Sequence, residues 1–307
     1  MLLVFNRPAQ TRRVFAAIRA ARPPSLYIAA DGPRSGRPED IAKCKAVRSI
    51  VEEVDWPCQV KTLYRGQNLG CRLAISSAID WLFEHETAGV ILEDDVVPGE
   101  AFVPFCEELL VLYADDLRVA MIGGFNPWTS RDKVSPESYS FSSYALIWGW
   151  ATWRRAWLHY DSELEEYQST KNLDFLAGVP TMGPRGRDMW RSIFNGVVSD
   201  AIDTWDYQWF YAMMKTGGLA VLPHVNLVEN IGFGLDATHA SGAPPTWATA
   251  AAEEMPPGEL THPGRIRVNV VLERTFAGNV FLLTPWNEFK FWVKSFIAGG
   301  ASGRASR

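Results

Sequence analysis

The sequence has few cysteines and no long apolar run, and both shortages limit what the chain can be. No C-x-x-C pair and no histidine at zinc-site spacing accompanies the cysteines. We therefore expect reduced thiols in a cytoplasmic protein. No stretch of about 18 apolar residues occurs, so no segment is expected to span a membrane. The opening MLLVF is too short for a secretory signal. The four cysteines are Cys44, Cys58, Cys71 and Cys106.

The chain also lacks an excess of basic residues and the common phosphate-binding loops. Lys and Arg total 30 against 35 Asp and Glu, a net charge of -5, so nucleic acid is not an expected partner. There is no G-x-x-x-x-G-K-[ST], and the first strand leads into Asn6-Arg7-Pro8 instead of G-x-G-x-x-G. No G-x-S-x-G is present either. These absences argue against NTPase, NAD-binding and serine-hydrolase functions.

Strand and helix patterns alternate through the first third of the chain. MLLVF, SLYIAADG, CQVKTLYRG and AGVILEDD read as strands, and the segments between them have apolar residues at helical spacing. This alternation predicts an α/β fold with a mostly parallel central sheet flanked by helices. Beyond residue 126, Trp, Gly and Tyr become dense, and residues 242–264 resemble a linker. We therefore divide the chain into residues 1–125, 126–241 and 242–307, the last a linker with a helical extension.

Charged residues follow three of the predicted strands. Arg7 follows the first strand, Asp31 the second, and the triplet Glu93, Asp94 and Asp95 the fourth. In parallel sheets, ligands bind beyond the carboxyl ends of the strands, where these side chains should meet. Adjacent carboxylates repel one another, so the triplet is either a fully solvated turn or a site for positive charge. Its place on this edge favours a site for Mn2+ or Mg2+, which would in turn neutralise a diphosphate.

Seven segments in order resemble one enzyme family. They are LVFNRPAQT, YIAADGPR, NLGCRLAISSAIDWLF, VILEDDVVP, IWGWATWRRAW, WDYQW and NIGFGLDATH. Together they resemble a GT-A-fold glycosyltransferase related to N-acetylglucosaminyltransferase I, in its bacterial branch of nucleotide-diphospho-sugar transferases. The resemblance covers roughly residues 1–240. It implies the GT-A fold, with a Trp-rich half facing the acceptor.

The resemblance also implies a donor-binding set. Arg7 would lie against the donor diphosphate or base, and Asp31 would accept from the uracil imide or the ribose. Arg72 matches a basic position near the nucleotide. Asp94 would lie near the ribose or a metal-bound water, with Glu93 in support.

The remaining implied roles are metal binding and catalysis. Asp95, the last acid of the D-x-D-type motif, would ligate Mn2+ or Mg2+, and His239 would reach the metal or diphosphate from the carboxyl-terminal side. Asp206 occupies the position of the candidate general base in the related transferase, and it lies between two tryptophans that should raise its pKa. Asp203 and Asp200 are rivals for that role, and a helix N-cap is the structural alternative for Asp206.

The predicted function is therefore a metal-dependent transfer of sugar from a nucleoside-diphosphate sugar, with UDP favoured, to a glycan or glycolipid hydroxyl, with inversion. Two alternatives stay open: a sugar-phosphate nucleotidyltransferase, and a non-catalytic carbohydrate-binding protein. Residues 286–297 form an amphipathic helical pattern. It is read first as packing on the protein and second as a peripheral membrane contact on the inner face of the membrane. Trp148, Trp150 and Trp153 are predicted to be core residues, with one a candidate wall for a sugar.

Overall fold

The structure is a computed structural model that describes residues 1–126, 136–233, 246–256 and 258–281. Its first part confirms the alternation of strands and helices read from the sequence. Helix α1 begins at Pro8, where a proline suits the first helical position because its missing N–H would have no helical partner. The elements are β1 (Leu2–Val4), α1 (Pro8–Ala21), β2 (Ser25–Ala30), α2 (Pro38–Val51), β3 (Gln59–Tyr64), α3 (Gly70–His85) and β4 (Ala88–Glu93).

The later part of the chain is less regular and adds shorter elements. The strand-like stretch LAVLPHVNLVEN divides into two strands that join different sheets. The elements are β5 (Val96–Pro98), α4 (Phe102–Leu112), β6 (Val119–Gly123), β7 (Tyr139–Ser142), β8 (Trp150–Trp153), α5 (Arg154–Trp157), α6 (Glu165–Thr170), α7 (Pro184–Val198), α8 (Asp206–Thr216), β9 (Leu219–Pro223), β10 (Val228–Asn230) and α9 (Val270–Val280), with 3-10 helices at Asp174–Gly178 and Thr246–Thr249.

Within the described residues, an eight-stranded sheet has the order β3-β2-β1-β4-β8-β6-β9-β7, and β10 pairs with β5 in a small second sheet. Neighbours among β3, β2, β1 and β4 are parallel, as are β6 and β9. Strand β8 lies antiparallel between β4 and β6, and β7 is antiparallel to β9. The expected fold class, an α/β fold with a mostly parallel central sheet flanked by helices, is confirmed.

The strand order reverses between β1 and β4. From β1 the chain passes outward to β2 and β3, and it then returns to place β4 on the other side of β1. The loops that leave β1 and β4 therefore diverge and open a crevice beyond the carboxyl ends of these two strands. Arg7 and the acidic triplet follow these two strands.

One sheet joins the first two parts of the proposed division, since β8 of the second part pairs with β4 of the first. Helix α9, in the third part, packs on the body through Phe276, whose ring lies 5.0 Å from that of Tyr144. The three-part division itself stays a prediction. In the described ranges, no helix is long and apolar enough to cross a membrane. The segment 286–297 lies outside the described residues.

Candidate functional site

Side chains that follow four adjacent parallel strands line one cleft of about 340 Å³. Its floor is formed by the apolar ends of β1 and β2, and the first turn of α3 closes one side. The cleft brings together most of the donor-binding residues predicted from the sequence. Its charged and amide side chains are Arg7, Asp31, Arg34, Arg65, Asn68, Glu93, Asp94, Asp95 and Asp203.

An ion pair crosses the point where the strand order reverses. The Nη1 atom of Arg7 lies 2.5 Å from Oδ2 of Asp95 and 3.4 Å from Oδ1 of Asp94. The other oxygen of Asp94 accepts a hydrogen bond of 3.2 Å from the backbone N–H of Phe5. The positive charge that the triplet requires is therefore supplied in part by the chain itself. One guanidinium faces three carboxyl groups, so the triplet has more acidic groups than Arg7 alone can pair with.

Burial and mutual repulsion make the triplet reluctant to hold three full negative charges. Burial, followed by the charges of Asp95, Asp94 and Asp206, raises the pKa of Glu93 well above its ordinary value. Burial and the charge of Asp95 raise the pKa of Asp94 to about 7, although Arg7 acts in the opposite direction. Burial lowers the pKa of Arg7, but the nearby carboxylates outweigh it and the pKa is raised. A further cation in this cleft would relieve the repulsion.

Asp31 is already engaged with its own chain. Its carboxylate accepts hydrogen bonds from the backbone N–H groups of Gly32 at 2.8 Å and Leu69 at 3.0 Å, and from the amide of Asn68 at 2.6 Å. These contacts fasten the end of β2 to the loop before α3. Burial raises the pKa of Asp31, while the two N–H donors act to lower it. The N–H of Leu69 also lies 3.2 Å from the second carboxylate oxygen, so the contacts number four, about as many as a carboxylate accepts, and a ligand here would have to replace one of them.

Asp203 belongs to the cleft, and Arg72 does not. The carboxylate of Asp203 accepts from the backbone N–H groups of Cys71 and Arg72, both at 3.1 Å, and so satisfies donors of the first turn of α3. The guanidinium of Arg72 donates instead to Asp200 at 2.7 Å and is not among the residues that line the cleft. The role of Arg72 beside a nucleotide stays a prediction.

Helix α8 begins at Asp206, which is not among the residues that line the cleft. Its carboxylate accepts from the hydroxyl of Thr204 and from the backbone N–H of Tyr207 at 2.9 Å. Its negative charge helps raise the pKa of Glu93 and of Cys71, for which burial is the larger cause. The side chains of Trp205 and Trp209, which flank Asp206 in the sequence, are buried. Its role as general base stays a prediction.

The predicted metal ligands are only partly described. Asp95 lines the cleft, whereas His239 lies outside the described residues. Among the described side chains, no group of three or more His, Cys, Asp and Glu could hold an ion unaided. An ion at Asp95 would need ligands beyond the described side chains, and oxygen atoms of a bound substrate are one source. Divalent cations bound by one or two carboxylates and phosphate oxygens are a common arrangement.

The sequence analysis did not identify three residues of the cleft, Arg34, Arg65 and Asn68. Arg65 and Asn68 follow β3, so the rule that identified Arg7 and Asp31 would have found them had it been applied to the third strand. Arg34 lies just beyond the end of β2 and donates two hydrogen bonds, of 2.6 and 3.1 Å, to the buried carboxylate of Asp40. Asp40 lies at the start of α2.

No family model and no curated protein matches the chain. Among solved structures, the chain is similar to a mannosyltransferase from Pyrobaculum calidifontis in complex with GDP-Man and Mn2+, at 14% identity, 70% of this chain, 68% of that chain and a TM-score of 0.39. It is also similar to the galactosyltransferase LgtC in complex with donor and acceptor sugar analogues, at 15% identity, 78% and 91% coverage and a TM-score of 0.34.

A third similar structure is an apo UDP-glucose pyrophosphorylase, at 8% identity, covering 70% of this chain and 96% of that one, with a TM-score of 0.28. Glycosyltransferases are thus among the solved structures that resemble the chain. At TM-scores below 0.5 these likenesses carry no argument about the site.

Proposed function

We propose that the chain is a GT-A-fold glycosyltransferase that depends on a divalent metal and on a nucleoside-diphosphate sugar, with UDP the favoured nucleotide. The acceptor would be a hydroxyl of a glycan or glycolipid, and the transfer would invert the anomeric carbon. The observation that carries the proposal is the pairing of Arg7 with Asp94 and Asp95 across the reversal point of the strand order. Ligands of α/β sheets bind at such points.

The shape and chemistry of the cleft suit a nucleotide. Its apolar floor, at residues 3–5 and at Ala29 and Ala30, would contact a base or ribose. Asp31 and Asn68 supply polar atoms on one side, and the triplet lies on the other. A mostly apolar pocket with a few convergent polar groups is typical of small-molecule sites.

The donor set fits Mn2+ or Mg2+. Carboxylate oxygens are the ligands that these hard cations prefer, and the excess of carboxylates over Arg7 leaves negative charge to neutralise. Asp95 would hold the ion together with diphosphate oxygens, with Asp94 and Glu93 in support. When bound, the cation would stabilise the negative charge that grows on the leaving nucleoside diphosphate.

The chain's own residues would then serve the two ends of the reaction. Arg7 would donate to the diphosphate as well as to Asp95, and so bind the leaving group and stabilise its charge. Asp206 would accept the proton of the acceptor hydroxyl on the opposite face of the sugar. Its present partners, Thr204 and the N–H of Tyr207, hold the carboxylate in a defined orientation at the start of α8.

The first test is calorimetric titration of UDP, GDP, CDP and dTDP into the protein, with and without Mn2+. We expect one nucleotide to bind in a metal-dependent way, and we expect Asp95→Asn to lose that dependence. Asp55→Asn is the matched control, because Asp55 is an exposed acid that pairs with Arg19 and does not line the cleft. Absence of metal-dependent binding for all four nucleotides would overturn the metal site and favour the non-catalytic alternative.

Nucleotide titration and a sugar-transfer assay of Asp206→Asn together separate binding from catalysis. Asp206→Asn should bind the nucleotide as the wild type does and lose sugar transfer by about 100-fold or more, as expected for removal of a general base. Full transfer activity in Asp206→Asn would contradict its assignment.

A further inference from the structure

A second cavity, of about 580 Å³, adjoins the cleft at the residues that follow β2 and β3. It lies where the loop between β2 and α2 faces the loop between β3 and α3. Two of its residues, Arg34 and Asn68, also line the cleft, so the two cavities meet at these side chains. We call Arg34 and Asn68 the shared wall.

Arg34 is held in the shared wall by Asp40. The Nε and Nη2 atoms of Arg34 donate to the two carboxylate oxygens at 2.6 and 3.1 Å, and its backbone N–H adds a contact of 3.3 Å. The side chain of Asp40 is only 1% exposed, whereas that of Arg34 is 40% exposed. The amide of Asn6 donates to the same carboxylate at 2.7 Å, so the loop after β1 also holds Asp40. Such a two-bond pairing fixes the direction of the guanidinium as well as its position.

Further contacts fasten the shared wall to the floor and the side of the cleft. The guanidinium carbon of Arg34 lies 5.4 Å from the centroid of the Phe5 ring, which is within the range of a cation–π contact. The amide of Asn68 donates to Asp31 at 2.6 Å and to the backbone oxygen of Gly32 at 3.2 Å. Both side chains of the shared wall are therefore fixed by contacts within the chain.

The shared wall lies at the end of the cleft that a base would reach. In the proposed function, Arg7 and Asp95 hold the diphosphate beyond the ends of β1 and β4. The cleft continues from there across the ends of β2 and β3. Neighbouring strands are about 4.8 Å apart, so the ends of β4 and β3 are separated by about 14 Å. A nucleotide that lies along the cleft therefore directs its base toward Arg34 and Asn68.

We propose that Arg34 closes the cleft at the base and thereby selects pyrimidine over purine nucleoside diphosphates, and that Asp40 is the residue that positions Arg34. The proposal rests on the nucleotide-sugar function proposed above. A purine is longer than a pyrimidine by one fused ring. The cleft, at about 340 Å³, lies near the lower end of the usual range of about 300–1,000 Å³ for small-molecule sites. A guanidinium fixed by a buried carboxylate yields less to a longer base than a mobile surface side chain would.

The second cavity provides the space that a purine lacks in the cleft. Pro33 and Ile41 give it apolar surface, and Arg37 and Gln67 give it polar groups. Apolar surface with a few polar groups is typical of small-molecule sites. Without the side chain of Arg34, the two cavities would share one space, and the longer base could extend from the cleft into the second cavity.

Calorimetric titration of UDP, CDP, dTDP, GDP and ADP in the presence of Mn2+ tests the selection. In the wild type we expect a pyrimidine nucleotide to bind most tightly, and both purine nucleotides to bind more weakly by about tenfold or more. The variant that opens the shared wall combines Arg34→Ala with Asp40→Asn, because loss of Arg34 alone would leave a buried carboxylate without its cation. In this double variant, the ratio of pyrimidine to GDP affinity should fall by about tenfold or more, because GDP binds more tightly.

Asp40→Asn by itself tests the positioning role, and it is the second variant if the double variant does not fold. It leaves Arg34 in the chain but replaces a charged acceptor with an amide that has one acceptor oxygen. The ratio of pyrimidine to GDP affinity should fall, by a smaller factor than in the double variant. A merely structural role of Asp40 would weaken the binding of all five nucleotides alike and would leave this ratio unchanged, so an unchanged ratio refutes the positioning role.

Arg37→Ala is the matched control, because Arg37 lines the second cavity without lining the cleft and its side chain is 60% exposed. Its affinity ratio should equal that of the wild type. The selection by Arg34 is overturned if a purine nucleotide binds the wild type as tightly as the best pyrimidine nucleotide, or if the double variant keeps the wild-type ratio. Either result would leave metal-dependent nucleotide binding, and with it the proposed function, standing. Binding of none of the five nucleotides would overturn both proposals.

Discussion

The carboxylate of Asp203 lies 3.1 Å from the backbone nitrogen of Cys71, at the first turn of α3. Asp203 is distant in sequence and reaches α3 from the loop before α8. A carboxylate at this end of a helix satisfies N–H groups that have no partner within the helix, and it also complements the positive end of the helix dipole. Asp203 therefore stabilises the wall of the cleft.

Replacement of Asp203 should destabilise the protein by a moderate amount. Asp203→Ala removes both hydrogen bonds to α3, so the free energy of unfolding should fall by about 1 kcal/mol, as for loss of a helix cap. Asp203→Asn keeps one acceptor and should lose less. Urea unfolding measures both. Asp188→Ala, which removes an exposed acid, is the control and should change stability by no more than about 0.5 kcal/mol. A stability of Asp203→Ala equal to that of the control would contradict the capping role.

Gly232→Ala should damage the site more than the fold. A Cβ at this position would collide with the carboxylate of Asp95, which must then move. We expect metal-dependent nucleotide binding to weaken by at least tenfold, and overpacking to cost about 1–3 kcal/mol of stability. Calorimetry and thermal unfolding give the two values. Gly178→Ala is the matched control, because open space surrounds that glycine. Unchanged nucleotide affinity in Gly232→Ala would show that Asp95 has no part in binding.

Arg7→Gln should weaken nucleotide binding, and comparison with Arg7→Lys separates the contribution of the positive charge from that of the planar guanidinium. The substitution removes the cation that faces Asp94 and Asp95, and hydrogen bonds to charged groups contribute about 1.5–3 kcal/mol. Affinity for the preferred nucleotide should therefore fall by about 10- to 100-fold in calorimetry. Arg7→Lys keeps the charge but not the planar fork, so its loss should be intermediate. Arg19→Gln breaks an exposed ion pair and should have no effect on binding. Equal affinities for Arg7→Gln and wild type would refute the role of Arg7.

Asp40 should make the stability of the protein depend on pH at acidic values. Hydrogen bonding from Arg34, and then from Asn6, lowers the pKa of Asp40 to about 2 from its ordinary value of 3.8, although burial opposes this. Because the folded state binds this proton more weakly than the unfolded state, the contribution is fully present above about pH 4 and is lost as pH falls toward 2.

The difference in stability between wild type and Asp40→Asn should therefore be constant near neutral pH and shrink between pH 4 and 2. Urea unfolding at several pH values measures it, with Asp55→Asn as the exposed control. A difference that does not change with pH would show that the pKa of Asp40 is not lowered by folding.

Much of the first half of the fold could be predicted from local patterns. The helical spacing of residues 70–85 and the apolar run before the triplet predict α3 and β4, because both periodicities are properties of neighbouring residues. The same patterns place Arg7, Asp31 and the acidic triplet on one sheet edge, since parallel strands share their carboxyl ends. The amino-acid sequence by itself determined the fold class, the edge of the sheet at which these charged side chains meet, and the excess of acidic residues at that edge.

The contacts that complete the site depend on residues far apart in the chain. No local pattern indicates that β8 lies antiparallel between β4 and β6, that Asp203 caps α3, or that Arg72 turns to Asp200. Nor does spacing separate Trp148, which is half-buried beside Trp247, from Trp150, which is fully buried two residues later. Only the tertiary structure decided these points, because burial and partner choice follow from the packing of distant segments against one another and not from the order of neighbouring residues.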